Sequence, residues 1–598
     1  MSNKRFPNPF EIEGPAGAED WRDLYPYTLT FGEHRRDYEE NRFWFWDSMH
    51  WGTALTPWDA HFFEVAIATL SQMNSRHYRI PPADGIDIRL LYGYAYLSPV
   101  GVDPAKIEAR IPQFMERAGH YFANWDDLYT SWLGKVKQSI AEIEALNFSP
   151  LPEMEELSII TEGVALGSGH QLMSDYRHFR ELIVRVWQYH FEFLNLGYAA
   201  YLDYFGFCKQ AFPSIPDLGI AKMVAGVEVD LFRPNEELKL LAKKAIDLGI
   251  PRAFDDPSNV VLSGDAGAEW QAAWDEASDP WFNFTSGNGF YHFDEIWREH
   301  PEVPYAFIRD YITKIEGGAD ISRPIEAIRA ERDRIVEEYR DLLDNDEDRA
   351  AFDGKLGLAR TVFPYVENHN FYIEHWTMSV VWRKVRELGA TLAKEGLLGA
   401  DDDLLYVRPD EVVSVLWDYY SSWAVNAPTV SKAHWAPTVA RRREIHEKLK
   451  AWKAPKALGE PPEVITEPFT IMLWGITTDS VATWLGSDED VEGVISGMAA
   501  SPGVVEGLAR LVFSPADVGT IQDGEILVAP ITAPSWAPVF PKIKACVTDI
   551  GGMMSHAAIV CREYGVPAVT GTGFATDRIK TGDRIRVDGS SGTVTLLD

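Results

Sequence analysis

The chain changes its hydrophobic grammar near residue 496. Before that point, apolar residues recur at helical spacing and most of the 21 Trp, 24 Tyr and 30 Phe are found there. After it come short Val/Ile runs broken by Gly turns, which is the pattern of strands. A side-chain period of 3.6 and one of 2 cannot be satisfied by the same element, so two architectures must share the chain. The spacing predicts a large, mainly helical, aromatic-rich region over residues 1–486. A compact β-rich domain is expected over 497–598, with 487–496 as an acidic linker and hinge containing Ser487-Asp488-Glu489-Asp490-Val491-Glu492.

Within the first region, helices are expected over 312–344, 378–394 and 441–452, and one apolar, aromatic helix over 179–205. Pro81-Pro82-Ala83-Asp84-Gly85 marks a turn, and 453–462, with Pro455, Pro461 and Pro462, reads as a loop. At 598 residues the chain is long enough for several domains with ample core.

Charge narrows the partners. The formal net charge is −34, yet residues 498–598 carry eight Lys/Arg against ten Asp/Glu, so nearly all the excess acid lies in the helical region. Such a surface repels nucleic acid and anionic membrane, and neither is expected as a partner. Cys208, Cys546 and Cys561 form neither a disulfide framework nor a metal-ligand cluster by spacing, and no metal site is expected. The polar Met1–Pro7 stretch has no signal-peptide core, and no run of eighteen apolar residues occurs, which gives a cytoplasmic expectation.

One histidine stands in an unusual setting. The segment Gly551-Gly552-Met553-Met554-Ser555-His556-Ala557-Ala558-Ile559-Val560-Cys561-Arg562-Glu563-Tyr564-Gly565-Val566-Pro567 follows the apolar run Val547–Ile550. It reads as a buried strand, a glycine turn, an N-cap at Ser555, two helical turns and a stop at Gly565 and Pro567. His556 then falls in the first helical turn, where free N–H groups and the positive end of the helix dipole favour a phosphate. Backbone at Gly551, Gly552 and Ser555 is the candidate phosphate cradle. The same pattern is also compatible with a capping or packed histidine.

The surrounding motifs add a resemblance. Gly497-Met498-Ala499-Ala500-Ser501-Pro502-Gly503, Val505-Glu506-Gly507-Leu508-Ala509-Arg510, Gly524-Glu525-Ile526-Leu527-Val528-Ala529 and Gly582-Asp583-Arg584-Ile585-Arg586-Val587-Asp588-Gly589 occur in this order around His556. Together they resemble the swivelling β/β/α phosphohistidine domain of phosphoenolpyruvate-utilising enzymes, shared by phosphoenolpyruvate synthase, pyruvate phosphate dikinase, rifampin phosphotransferase and phenylphosphate synthase. The resemblance implies that His556 carries a phosphoryl group. Met554 stands where the dikinases often have threonine. No glycine-rich ATP loop or ATP-grasp module is legible, and no cofactor is expected to be bound permanently. The resemblance therefore implies a separate ATP-grasp subunit that binds ATP and Mg²⁺ and charges His556, releasing AMP and phosphate.

The helical region suggests the acceptor. Glu367-Asn368-His369-Asn370-Phe371-Tyr372 precedes a helix with Arg383, an order resembling the acceptor region of rifampin phosphotransferase and, more closely, of phenylphosphate synthase-like carrier subunits. The antibiotic enzymes are basic near the positions of Val366 and Asn370, which favours a phenol or alkylphenol, such as a cresol, as acceptor and an aryl phosphate as product. A phenol has a pKa of about 10, so its attack calls for a base. His369 is the candidate base, Glu367 an orienter or second base, and Arg360 and Arg383 candidate phosphate stabilisers. Trp44, Trp46, His50 and Trp51, near Trp58, and His190, near Trp187, Tyr189 and Phe191, are candidate pocket residues, although such clusters are more often core. Two alternatives stand beside the phenol reading: phosphorylation of an antibiotic or other hydroxyl compound, and a non-catalytic phosphocarrier or regulatory protein.

Overall fold

The computed structural model describes residues 5–465, 467–486 and 493–597. Of the expected linker and hinge, 487–496, residues 487–492 lie outside the described residues. The chain forms two units, neither of them continuous in sequence: residues 1–117, 126–192 and 377–461 make the first, and 118–125, 193–376 and 462–598 the second. The division expected from sequence was linear; the observed one crosses the chain several times. No helix among the described residues is long and apolar enough to cross a membrane.

The first unit is not all helical. It contains a four-stranded sheet in the order β2-β3-β1-β4, with β1 Phe43–Trp46, β2 Ala83–Leu91, β3 Tyr94–Gly101 and β4 Ala457–Gly459. The aromatic run of β1 pairs antiparallel with β3 (Phe45 opposite Leu97) and with β4 (Trp44 opposite Leu458). The proline-rich stretch 453–462 is thus no simple loop. Its Ala-Leu-Gly is buried as an edge strand, where Gly459 has φ +77° and a Cβ would lie 2.0 Å from Arg42 O.

Helix Met378–Lys394 has the expected bounds, and residues 441–452 fall largely in the longer helix Ser431–Lys450. Two expected helices are each two. Residues 312–344 divide between Glu302–Glu316 and Ile325–Asp341, because Gly318 turns at φ +79° and Pro324 cannot continue a helix. Residues 179–205 divide between Ser168–Glu192 and Leu194–Ala211, with Phe193 at the break.

The second unit combines helices with the C-terminal sheet. Its helix α1, Leu194–Ala211, packs on α2, Asp346–His369, so closely that a Cβ on Gly197 would lie 2.7 Å from Val366 Cγ2. Helix α2 runs directly into a π-helical segment, Asn370–Thr377. The sheet has eight strands in the order β5-β12-β11-β7-β8-β9-β10-β6. They are β5 Val494–Ser496, β6 Met498–Ser501, β7 Val504–Leu511, β8 Ile526–Ala529, β9 Ala545–Thr548, β10 Ala568–Thr570, β11 Arg584–Asp588 and β12 Thr593–Leu596. Strand β5 belongs to the sheet, so the expected linker 487–496 ends earlier than its sequence suggested.

Strands β7, β8, β9 and β10 are parallel, whereas β5, β12, β11 and β7, and the β10–β6 pair, are antiparallel. Strands β8 and β9 are buried along their whole length, as parallel strands covered on both faces must be. Ile526, Val528, Ala545, Val547, Ile585 and Val587 form the core of this domain. Helix α3, His556–Tyr564, is the crossover from β9 to its parallel neighbour β10, which puts its first residue beyond the carboxyl end of a strand. Ligands of α/β sheets gather at such ends.

Candidate functional site

The local geometry around His556 follows its sequence. Gly551 turns the chain at φ +132°, and at Gly552 a Cβ would lie 2.1 Å from Met472 O, so only glycine fits. Ser555 is the N-cap of α3, its Oγ 3.5 Å from Ala558 N, and Gly565 closes the helix at φ +66°. The glycine N–H groups, however, do not form an open cradle. Gly551 N donates to Trp474 O (3.3 Å), Gly552 N to Leu473 O (2.9 Å) and Met554 N to Met472 O (3.1 Å). Ser555 N donates to Gly552 O (3.1 Å). In this arrangement the turn is a docking point for residues 472–474, and the first helical turn is the part left for an anion.

The imidazole of His556 lies against the carboxyl-terminal end of α2. Its side chain is 13% exposed, and Nδ1 is 3.7 Å from Glu367 Oε2. Among the described residues, neither ring nitrogen of His556 nor Glu367 Oε2 has a hydrogen-bond partner, although all three atoms are buried. Leaving buried polar atoms unpaired costs about 1–3 kcal/mol each, and such groups concentrate at sites that bind or react. Helix α3 is fastened on the same side: Gly226 N donates to Glu563 Oε1 (2.8 Å), and Asn235 Nδ2 to Tyr564 Oη (3.1 Å).

A second histidine, absent from the sequence-based candidates, is near enough to His556 for the two imidazoles to influence each other electrostatically. His375 is fully buried in the π-helical segment, its ring tilted 32° against Phe284 with centroids 4.0 Å apart. Burial, with His556 nearby, pulls its imidazole down to about 3, so it is neutral at physiological pH. Its Nδ1 receives Thr285 N (3.3 Å) and lies 2.8 Å from Thr285 Oγ1, while Nε2 has no hydrogen-bond partner among the described residues.

Other candidates have different surroundings. His369 is buried, with Nδ1 3.2 Å from Tyr365 O and Nε2 3.8 Å from Glu374 Oε1. Since a carbonyl only accepts, Nδ1 carries the proton and Nε2 keeps its lone pair. The Asn370 amide, in the orientation its neighbours require, donates to that nitrogen at 2.9 Å. Arg360 donates from Nε (3.0 Å) and Nη2 (2.7 Å) to Met223 O, and burial lowers its basicity. It is thereby engaged in holding the chain rather than presented to the Glu367–His556 pair.

The remaining candidates belong to the first unit. Arg383 pairs with Glu144 (3.2 Å), and Glu387, one turn along its helix, is held by Lys384 (2.8 Å). Trp44 is wholly buried and donates to Glu39 O (2.8 Å), Trp46 donates to Trp51 O (3.1 Å), and Trp51 packs edge-on against Phe63. His50 Nδ1 lies 2.9 Å from Asp47 Oδ2. His190 lies between Trp187 and Phe191, at 4.8 and 4.3 Å, and burial, with a smaller push from His50, lowers it to about 3. The aromatic clusters are therefore core of the first unit in large part.

A histidine at the first turn of a crossover helix, facing an unpaired buried carboxylate, sets the context for the comparisons with known proteins. Residues 521–592 match the family described as PEP-utilising enzyme, mobile domain. The chain is also similar to longer proteins. It is 26% identical over 580 residues to the chondramide synthase cmdD of Chondromyces crocatus, covering 94% of this chain and 14% of that one. It is 29% identical over 310 residues to a rifampicin phosphotransferase of Streptomyces sviceus, covering 50% of this chain and 32% of the relative. With a probable phosphoenolpyruvate synthase of Staphylothermus marinus it shares 48% identity over 103 residues, covering 17% of this chain and 12% of that one. The chain thus spans a third or less of the length of these curated relatives. Phosphotransferases recur among them, and the mobile domain is what the family match identifies.

Proposed function

We propose that this chain carries a phosphoryl group on His556 and transfers it to the hydroxyl of a phenol or alkylphenol. The observation that supports the reading most is the pairing of His556 with Glu367 across two elements far apart in sequence, with both ring nitrogens and the facing carboxylate oxygen unpartnered. Glu367 lies at Nδ1, so the phosphoryl group is assigned to Nε2, and the carboxylate steadies a proton on Nδ1. That proton makes the imidazole a better leaving group. The first turn of α3 supplies a positive dipole end to the transferring group.

In the transfer step, the N–P bond breaks and its electron pair returns to Nε2 while the phenolic oxygen forms the new O–P bond. The phenolic proton passes to His369 Nε2, whose lone pair is set by the Tyr365 carbonyl at the opposite nitrogen, with the phenolic hydroxyl taking the place of the Asn370 amide that donates to it in the substrate-free chain. The charging step is assigned to a separate ATP-grasp subunit that binds ATP and Mg²⁺ and releases AMP and phosphate. A carrier that shuttles between two sites lets each be preorganised for one half-reaction.

A second reading has its own support. The similarity to a rifampicin phosphotransferase extends over half of this chain, so a hydroxylated antibiotic or polyketide is the competing acceptor. The test is reconstitution with an ATP-grasp partner, ATP and Mg²⁺, and a panel of phenols and macrolactones. The expected product is an aryl phosphate; macrolactone phosphorylation without cresol phosphorylation would sink the phenol reading. His556→Ala is expected to abolish an acid-labile, alkali-stable phosphoryl adduct, and persistence of that adduct would remove His556 from the carrier role.

A further inference from the structure

The two arginines expected to hold the phosphoryl group are engaged by other groups: Arg360 donates to Met223 O, and Arg383 pairs with Glu144. Some other donor must meet the developing charge, and His375 has the required features. A backbone N–H can only donate, so Thr285 N makes His375 Nδ1 an acceptor. Thr285 Oγ1, 2.8 Å from the same nitrogen, then turns its own proton toward that lone pair, so both Thr285 donors meet Nδ1 as an acceptor. The single proton of the neutral ring therefore resides on Nε2. That Nε2–H is buried, has no acceptor among the described residues, and belongs to a ring clamped by Phe284.

We propose that His375 is a catalytic hydrogen-bond donor, whose Nε2–H binds an oxygen of the phosphoryl group carried on His556 and holds it through transfer. The inference rests on the carrier role proposed above. It gives up no proton: the N–P electron pair returns to His556, the acceptor oxygen bonds phosphorus, and the acceptor's proton leaves to base or water. A fixed, neutral donor in a water-poor site suits a transition state whose charge lies on the equatorial phosphoryl oxygens. It needs no reorganisation, because Thr285 has already fixed the tautomer. A cationic side chain would hold the charged carrier more tightly before transfer as well as during it, whereas a neutral donor favours the moving group with less ground-state trapping.

The test uses the full chain charged chemically with phosphoramidate, which needs no partner protein. Loss of the phosphoryl group is then timed with water alone and with p-cresol. His375→Phe is expected to slow both losses roughly 10²-fold while the adduct still forms on His556. His375→Gln, which restores an N–H donor, should recover most of that rate. In the unsubstituted protein labelled with ¹⁵N-histidine, charging should shift the His375 Nε2–H resonance and leave Nδ1 at its acceptor value. Unchanged rates in His375→Phe, equal defects in both variants, or a His375 resonance indifferent to charging would overturn the proposal. If His375→Phe does not fold, the resonance of the unsubstituted chain decides. The two layers fail differently: no adduct on His556 sinks the carrier role, whereas an adduct that ignores His375 sinks only this assignment.

Discussion

At the scale of single residues, the contact that matters most joins Glu367 and His556, 189 positions apart in the numbering and 3.7 Å apart in space. Glu367→Gln keeps the volume and removes the charge. It is expected to leave the phosphoryl adduct on His556 intact and to slow its transfer to a phenol by about 10²-fold, measured in a single turnover. His369→Ala should show the same division if its Nε2 takes the phenolic proton, and equal loss of both half-reactions would contradict that role. His556 was legible because its neighbours are local: two glycines, a cap and a stop define the turn without outside help. Glu367 was legible only as one of several polar residues in a suggestive order. His375 was not legible at all, since an imidazole between a glutamate and a tryptophan in an aromatic helix reads as packing.

Elements decide which residues share a face. Helix α3 is stabilised at its start by Ser555, and Ser555→Ala should lower stability by about 1 kcal/mol, read as a reduced denaturant midpoint for the unit that contains it. A midpoint within error of the unsubstituted protein would show the cap, with Oγ 3.5 Å from Ala558 N, to be idle. The π-helical segment Asn370–Thr377 does more for the site than any cap. Eight residues of ordinary α-helix between Glu367 and His375 would leave the two side chains about 80° apart. The wider turns of the π segment change that register, and such segments recur at functional sites. No sequence period announces a π turn. It forms because tertiary packing around Phe371 and His375 outweighs the usual hydrogen-bond spacing. The breaks at Phe193 and between Gly318 and Pro324, and the pairing of β4 with β1, have the same character: packing partners override a local pattern that would allow a longer helix or a loop.

For the molecule as a whole, pH reports on both units through buried histidines. His190 in the first unit and His375 in the second are each lowered to about 3 from an ordinary 6.5. Their folded-state pKa lies below the unfolded one, so they contribute stability that is complete above 6.5 and lost as pH falls. Each should cost about 1.4 kcal/mol per pH unit below that value, because the unfolded chain takes up a proton the folded chain refuses. Urea midpoints measured from pH 7 to pH 4 should fall accordingly, and His375→Phe should flatten the slope; a slope unchanged by that substitution would show that His375 titrates normally. Below about pH 5 the carboxylates of the acidic surface titrate as well, so the histidine contribution is the part of the fall that lies above that point. By itself the sequence determined that a helical, aromatic-rich region precedes a β-rich domain, and that His556 opens a short helix after a glycine turn, because hydrophobic period, Gly, Pro and capping residues act over a few positions. Only the tertiary structure decided that the chain divides into two units, each discontinuous in sequence, that Trp44 of β1 is core, and that Glu367 and His375 come near His556. Those outcomes depend on contacts between segments hundreds of residues apart, and burial, which fixes a tautomer or leaves a carboxylate unpaired, exists only once those segments have met.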